Sequence, residues 1–283
     1  MHVAAILGAG RNIPRAVDKF QRNSRVEWTS LVEQADVVVL FGGDGTLHRN
    51  LATLVELDLP LLVVPCGSGN DFARALNLRS VGDAVRAWTK FSKTGSNLRG
   101  VDLGTIEMSG YSTDNGESKY FSSIAGVGLD SEITRRANAL PRWLRSNGGY
   151  ALSAPREFAR FAPFAMKFAL NGTPAAFQPS LLAAVANAPS YGGGMKIAPQ
   201  ACLDDGKLDV CVVRAMDKFK LFCLFPTVYF GRHLDFREVE YAQAPAVKIE
   251  TEHPLDVYAD GEYAGQTPVE FGVAPKVLKV IVP

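Results

Sequence analysis

Two glycine-rich turns hold the residues best suited to chemistry in this chain. The first, Phe41-Gly42-Gly43-Asp44-Gly45-Thr46-Leu47, follows the apolar run Val37–Phe41. Three glycines around one aspartate cost chain entropy that an ordinary strand-to-helix turn does not require. They let the backbone come close to a ligand and turn successive N–H groups toward it, and the next helix adds its N-terminal amides, which together suit an anion. Asp44 would stand beside that anion, able to hold Mg²⁺ or to take a proton; its plainer role is a helix cap. The second turn, Pro65-Cys66-Gly67-Ser68-Gly69-Asn70-Asp71-Phe72-Ala73, follows Leu61–Val64 and offers Asn70 or Asp71 as a cap. Ligands of open α/β sheets bind beyond the carboxyl ends of the strands. Two adjacent turns of this kind therefore argue for one shared nucleotide site. A third segment, Gly8-Ala9-Gly10-Arg11-Asn12-Ile13, places Ile13 where a dinucleotide fingerprint needs a glycine, which leaves a phosphate-tolerant turn or a plain one. The signatures GxxxxGK[ST], HExxH and GxSxG are absent.

These turns must be carried by buried strands. Val3–Leu7, Val37–Phe41 and Leu61–Val64 are short, rich in β-branched residues and free of polar alternation, as parallel strands covered on both faces are. Leu47, Leu51, Leu54 and Val55 recur at helical spacing between them, and Ser80-x-x-Asp83 opens another helix with a capping box. The expected fold class is α/β: a doubly wound α/β nucleotide domain over residues 1–103, followed by a β-rich sandwich domain over 104–283. Beyond Asp102 the segments are short and bounded by Asp114-Asn115-Gly116, Asn171-Gly172, Asp205-Gly206 and Asp260-Gly261, all hairpin chemistry. Helical stretches interrupt them around Ser131–Leu140 and Ser153–Phe161. The C-terminal strand Lys276–Val282 is expected to pack back on one of the sheets.

Composition narrows the function. Apolar residues make up 47% of the 283, enough for packed cores and too many for a disordered chain. Lys and Arg number 30 against 29 Asp and Glu, so no whole-chain field recruits nucleic acid. Cys66, Cys202, Cys211 and Cys223 form no CxxC pair and read as small hydrophobes in a reducing compartment. No run approaches the ~20 apolar residues of a membrane helix, and MHVAAILGAG reads as a strand running into a turn, not as a signal peptide. A cytoplasmic protein with peripheral membrane contact is expected. The apolar stretch Phe219–Phe230, interrupted by Pro226, reads either as a core helix and strand or as a lip for acyl chains, with Lys218, Lys220 and Arg232 near headgroups. Arg135, Arg136, Arg142 and Arg145 around Trp143 form a second membrane-facing patch or a solvated helix face.

GGDGTL, with GSGNDFA beginning 20 residues after Leu47, resembles the diacylglycerol-kinase catalytic domain, whose family includes bacterial lipid kinases and sphingosine kinases and is related in fold to NAD kinases and phosphofructokinases. Tyr191-Gly192-Gly193-Gly194-Met195 with Ala198-Pro199, Asp204-Asp205-Gly206-Lys207-Leu208-Asp209, Gly231-Arg232-His233 and Asp260-Gly261-Glu262 follow in the family's order, so the likeness runs from about Asp36 to Glu262. It implies ATP as phosphoryl donor, with Gly42, Gly43, Gly45, Thr46, Gly67, Ser68, Gly69, Asn70 and Asp71 around the phosphates, joined by Gly8, Gly10 and Asn12 of the first turn. It implies Asp44 at the phosphate–metal unit and Asp260 or Glu262 as proton acceptor for a lipid hydroxyl. It also implies a structural Mg²⁺ at Asp204, Asp205 and Leu208, with Asp71 and Asp102 as water-linked partners. Read from the residues alone, Asp205-Gly206 and Asp260-Gly261 are equally plain hairpin turns. The chain departs from the family pattern in its first turn, where Asn-Pro is usual, and in His48-Arg49, where Asn-Glu is common. The function expected is an ATP-dependent lipid kinase, with ATP and a hydroxyl-bearing lipid at the membrane surface as partners, no nucleic acid, and a homodimer left open. The alternatives are a kinase of a soluble acceptor, NAD- or sugar-kinase-like, and a nucleotide- or lipid-binding module without turnover.

Overall fold

The computed structural model describes the chain except residues 25, 31–33, 109–118, 141–148 and 174–175. Its first layer is built on β1 (His2–Leu7), β2 (Glu27–Thr29), β3 (Val37–Gly42) and β4 (Leu61–Pro65). They are parallel in the order β2-β1-β3-β4. Every residue of β3 is buried, as a central strand covered on both faces requires. Helices α1 (Ile13–Ser24) and α5 (Val81–Thr94) lie against this sheet, where Phe20 meets Trp28, Phe41 and Trp88. The Ser80 side chain accepts from the Asp83 N–H, so the expected capping box opens α5. Short helices α2 (Asp44–His48), α3 (Leu51–Leu57) and α4 (Asp71–Ala75) follow the two glycine-rich turns.

The register fixes where those turns sit. Leu7 pairs with Phe41, and Gly42 pairs with Pro65, so β1, β3 and β4 end together and their three turns share one edge. The Gly8 N–H donates to the Phe41 carbonyl at 2.9 Å and the Cys66 N–H to the Gly42 carbonyl at 2.8 Å, which ties the turns in a row.

The β-rich part follows as β5 (Leu98–Met108), β6 (Lys119–Phe121), β7 (Ile124–Gly128), β8 (Phe164–Leu170), β9 (Gln178–Ala186), β10 (Leu208–Arg214), β11 (Val239–Ala244), β12 (Ala246–Thr251), β13 (Asp256–Ala259), β14 (Glu262–Gln266) and β15 (Val269–Ile281). Its pairings are antiparallel, apart from that of β15 with β4. The strands alternate between two cores with the period of two that a sheet imposes. On β9 and β10, Ala183, Val185, Val210 and Val212 face a core shared with Phe121, Val247 and Phe271. Their neighbours Ala184, Ala186, Cys211 and Val213 face a second core with Ile133, Phe158 and Leu224. The latter come from α6 (Leu129–Ala139), α7 (Gly149–Arg160) and α8 (Lys218–Val228). The first of these two cores is the interior of the expected sandwich.

The expected boundary near residues 100–105 lies inside β5. Val101 and Leu103 join the core of the first layer, while Ile106 joins the sandwich. β15 spans the same seam: Val269–Ala274 pairs with β5 and β12, and Val280 pairs with Leu61 of β4. Phe219–Phe230 departs from the expected helix plus strand. Lys218–Val228 is a single helix, α8, through Pro226; Tyr229 and Phe230 follow in a turn, and Gly231 is left-handed before a 3-10 turn over Arg232–Asp235. Among the described residues no helix is long and apolar enough to cross a membrane. Asp114–Gly116 and Arg142, Trp143 and Arg145 lie outside the described residues. Arg135 pairs with Glu132 on its own helix, half exposed, and Arg136 pairs with Glu157 of α7.

Candidate active site

The two glycine-rich turns touch backbone to backbone. A Cβ on Gly67 would stand 2.7 Å from the Gly43 Cα, and one on Gly43 would stand 2.8 Å from the Gly67 Cα. Asn70 closes the second turn on itself: its Oδ1 accepts from the Gly67 N–H at 2.8 Å and its Nδ2 donates to the Gly67 carbonyl at 2.7 Å. That role explains why Asn70 sits in the left-handed region, which asparagine tolerates better than most residues, without capping α4 through its side chain. Gly8 and Gly10 adjoin this pair: Gly8 lies against Thr46, and Gly10 lies near the Cys66 carbonyl. Asn12 is exposed just before α1. Ser68 and Gly69 complete the rim.

Acidic side chains converge here from three elements. Asp44, first residue of α2, accepts from the Phe72 N–H at 3.3 Å. A Cβ on Gly69 would meet Asp44 Oδ2 at 2.7 Å and Asp71 Oδ2 at 3.2 Å, so the two carboxylates flank one bare backbone position. Asp71 is held in turn by the Ser190 hydroxyl at 3.1 Å and the Gly193 N–H at 2.8 Å, with Arg74 3.6 Å away. Asp260 completes the set. Burial, then the nearby charge of Asp71 and more weakly that of Asp260, pushes the Asp44 carboxyl up to about 6.

Asp260 lies on the turn between β13 and β14. Asp260 and Gly261 both have positive φ, the geometry of a type I′ hairpin, so the turn reading and the site reading are satisfied together. Its side chain is 0% exposed. Oδ2 accepts from the Ser122 N–H at 2.7 Å and the Ser122 hydroxyl at 3.0 Å; Oδ1 accepts from the Ser123 N–H at 2.9 Å and the Ile124 N–H at 3.2 Å. His48 Nδ1 approaches Oδ2 at 3.2 Å. Glu262, half exposed, faces Arg49 at 3.4 Å beside Gly45.

The segment expected to hold a structural Mg²⁺ lies at the turn before β10. Asp204 forms an ion pair with Arg99 at 2.7 Å, and Asp205 accepts from the Lys207 N–H at 3.1 Å within its own turn. Leu208 is a fully buried strand residue. Asp102 spends both oxygens on backbone donors, Gly206 at 2.7 Å and Lys276 at 2.7 Å, and so stitches this turn to the irregular stretch of β15. Among the described residues no group of three His, Cys, Asp or Glu side chains is placed to hold a cation. A cation at Asp204 and Asp205 would take most of its remaining ligands from water, as Mg²⁺ often does. Asp44 and Asp71 fit the same habit, one or two carboxylates with the remaining positions taken by water and substrate phosphate.

Residues 13–106 match the diacylglycerol kinase catalytic domain, and residues 123–282 match the YegS C-terminal NAD kinase beta sandwich-like domain. A diacylglycerol kinase from Mycobacterium tuberculosis (strain ATCC 25618 / H37Rv) is 34% identical over 260 residues, covering 90% of this chain and 79% of the relative. The chain belongs to the diacylglycerol-kinase family. A diacylglycerol kinase from Bacillus subtilis (strain 168) is 28% identical over 255 residues, covering 89% of this chain and 79% of that one. A crystal structure of a diacylglycerol kinase from Bacillus anthracis str. Sterne superposes with a TM-score of 0.69 at 19% identity, over 100% of this chain and 97% of that chain, and so shares the fold.

Within this lipid kinase family member, sequence reasoning marks the glycines and the acids but misses what holds them. Ser122 and Ser123 clamp Asp260, Ser190 clamps Asp71, and Asn187 donates from one amide to the carbonyls of Asp102 and Ser122 at 2.9 and 3.0 Å. Nothing in the spacing of these residues announces a site. The departure His48-Arg49 is the one visible signal, and both residues turn out to face the Asp260–Glu262 hairpin.

Proposed function

We propose that this protein transfers the γ-phosphate of ATP to the hydroxyl of a lipid, with a diacylglycerol-like acceptor. The observation that carries the reading is the convergence of Asp44, Asp71 and Asp260 on the paired glycine turns at the carboxyl edge of β1, β3 and β4. Phosphoryl transfer is mostly positioning and charge stabilisation, and this edge supplies both: bare backbone at Gly42, Gly43, Gly45, Gly67 and Gly69 for the phosphates, and carboxylates for the cation that accompanies them. Mg²⁺ bound with the triphosphate at Asp44 and Asp71 would neutralise its charge. Asp71 is fixed by its donors and Asp44 by the Phe72 N–H, so neither needs to reorganise when nucleotide arrives. The Asp260–Glu262 hairpin is the acceptor side.

The lipid half of the proposal is supported by α8 and the turn that follows it. Phe219 is 79% and Phe230 74% exposed, and Phe222 and Tyr229 are part-exposed beside them. Such a ridge suits an interface with acyl chains. The Lys196 N–H donates to the Val228 carbonyl at 3.0 Å, and the same stretch of chain brings the Gly193 N–H to Asp71, so the ridge and the acidic cluster are joined through residues 193–196. The test offers ATP labelled at the γ position with lipid vesicles containing diacylglycerol, and separately with NAD and with sugars. Label in a chloroform-soluble product alone is expected. Label in NAD or sugar, with none in lipid, would replace the acceptor.

A further inference from the structure

The outward stripe of α8 lacks the polar residues that a solvated helix face carries. Leu221, Leu224 and Val228 turn inward and are buried in the second core with Phe158. On the other side, at helical spacing, stand Phe219, Phe222, Cys223 and Pro226, all exposed, and Tyr229 and Phe230 continue the apolar surface in the turn. No charged side chain interrupts that stripe. A helix that is apolar on every side is normally covered on every side. Phe219 and Phe230 are instead the two most exposed large apolar residues described in this chain, and exposed apolar patches of this kind mark contact sites.

Cations flank the stripe at both ends. At its start, α7 presents Arg156 and Arg160 one turn apart on its exposed side. The Lys218 ammonium donates to the Ala159 carbonyl, and the Phe158 ring lies 5.4 Å from that of Phe222 and 5.0 Å from that of Phe225, so the end of α7 runs beside α8. At the far end stand Arg232 and Lys196, whose N–H donates to the Val228 carbonyl. Among the described residues no carboxylate pairs with Arg156, Arg160, Lys196 or Lys218. The acids nearby are largely engaged: Glu238 by Lys220 and Arg237, and Asp217 by the Lys220 N–H that it caps, while Asp235 stands 3.9 Å from Arg232.

We propose that α8, edged by Arg156 and Arg160 of α7 and by Lys196 and Arg232, is a docking face for an anionic lipid bilayer. The rings enter the boundary between headgroups and acyl chains, and the unpaired cations read the surface charge around them. The inference deepens the lipid-kinase reading and rests on it, since an acceptor dissolved in a membrane is reached from that membrane's surface. A second copy of this chain fits the stripe less well. Both ends are basic, so a two-fold contact sets cations against cations whichever way the helices cross.

The experiment is cosedimentation of the full chain, without nucleotide, with vesicles of phosphatidylcholine alone and of phosphatidylcholine mixed with phosphatidylglycerol. Wild type is compared with the double variants Arg156→Gln/Arg160→Gln and Phe219→Ser/Phe230→Ser. All four positions are exposed, and thermal melts check that each variant folds. Should the ring variant melt early, Phe219→Ser alone takes its place. Wild type is expected to bind the mixed vesicles more tightly than the neutral ones, and less so as salt is raised. A cation near an anionic surface contributes about fivefold in affinity, so the arginine variant should lose on the order of 25-fold on mixed vesicles and little on neutral ones. The ring variant should lose at least ~10-fold on both. Equal binding to the two vesicle types, or a folded ring variant that binds as wild type does, overturns the docking face. A dimer in solution that the ring substitutions dissolve also overturns it and gives the stripe to a second copy. Label from γ-labelled ATP is followed in diacylglycerol carried by the same vesicles. Binding without transfer to lipid overturns the lipid-kinase reading, whereas transfer without charge-dependent binding overturns the docking face alone.

Discussion

Asp44 is costly to the fold at neutral pH, and the proposed function gives that cost a use. Its carboxyl is raised from 3.8 to about 6, chiefly by burial and then by Asp71. Below about pH 4 both folded and unfolded chains hold the proton, and no penalty exists. As pH rises the unfolded chain ionises first, so stability falls through this window, and above about pH 6 the full cost of about 3 kcal/mol applies, at roughly 1.4 kcal/mol per unit. Asp44→Asn retains an oxygen for the Phe72 N–H and removes the charge. In nucleotide-free buffer with chelator, this variant should melt several degrees higher than wild type at about pH 7.5 and equally at about pH 4; no gain at neutral pH would show that the acidic cluster carries no strain. Legibility at this scale follows chemistry that is local in the chain. Asp44 announces itself between glycines, whereas the raised pKa depends on Asp71 and Asp260, the latter 216 positions away by subtraction of the two residue numbers. Ser122 and Ser123 leave no trace in sequence, because an ordinary serine pair looks the same whether or not a buried carboxylate lies across from it.

At the scale of elements, the site depends on two turns approaching more closely than side chains permit. Gly43 and Gly67 each occupy the space where the other's Cβ would be, and Asn70 Oδ1 lies 2.9 Å from the Gly67 Cβ position. Backbone cannot yield as a flexible side chain can, so Gly67→Ala should cost on the order of 1–3 kcal/mol. The same variant should raise KM for ATP by displacing the turn. Thermal melts and ATP titration of initial rates check both, and an alanine variant with unchanged Tm and KM would mean that the turns do not need their contact. The strands that bring these turns together were readable: β1, β3 and β4 fall within a residue or so of the runs Val3–Leu7, Val37–Phe41 and Leu61–Val64. Continuous burial on both faces leaves a composition that few other elements share. The α8 segment was harder, since Pro226 suggested a break. It stands inside the helix with no N–H to donate, and α8 ends two residues later at Val228. The turn over Asp204–Lys207 was legible as a turn, but Arg99, which takes up Asp204, lies on a distant strand.

Across the whole molecule, the glycine turns and the Asp260 hairpin are held in register by shared strands and not by a linker. β5 enters both cores, β15 pairs with β12 in the sandwich and with β4 in the first layer, and Asp102 pins the seam between them. A general α/β layer followed by a β-rich part was visible from the change in texture near Asp102. That β15 would join both was not, since a strand's partners are set by long-range register that local pattern does not encode. This shared framework brings the Asp260 hairpin against α2, and the proposed transfer depends on that meeting of two halves that each look incomplete. The most direct test of that account is label transfer from γ-labelled ATP, with Mg²⁺, into diacylglycerol presented in vesicles, run with wild type and Asp44→Ala side by side. Labelled, chloroform-soluble product is expected from wild type, with a loss of at least ~10²-fold in the variant. Equal labelling by both, or none in lipid from a folded wild type that binds ATP, would contradict it.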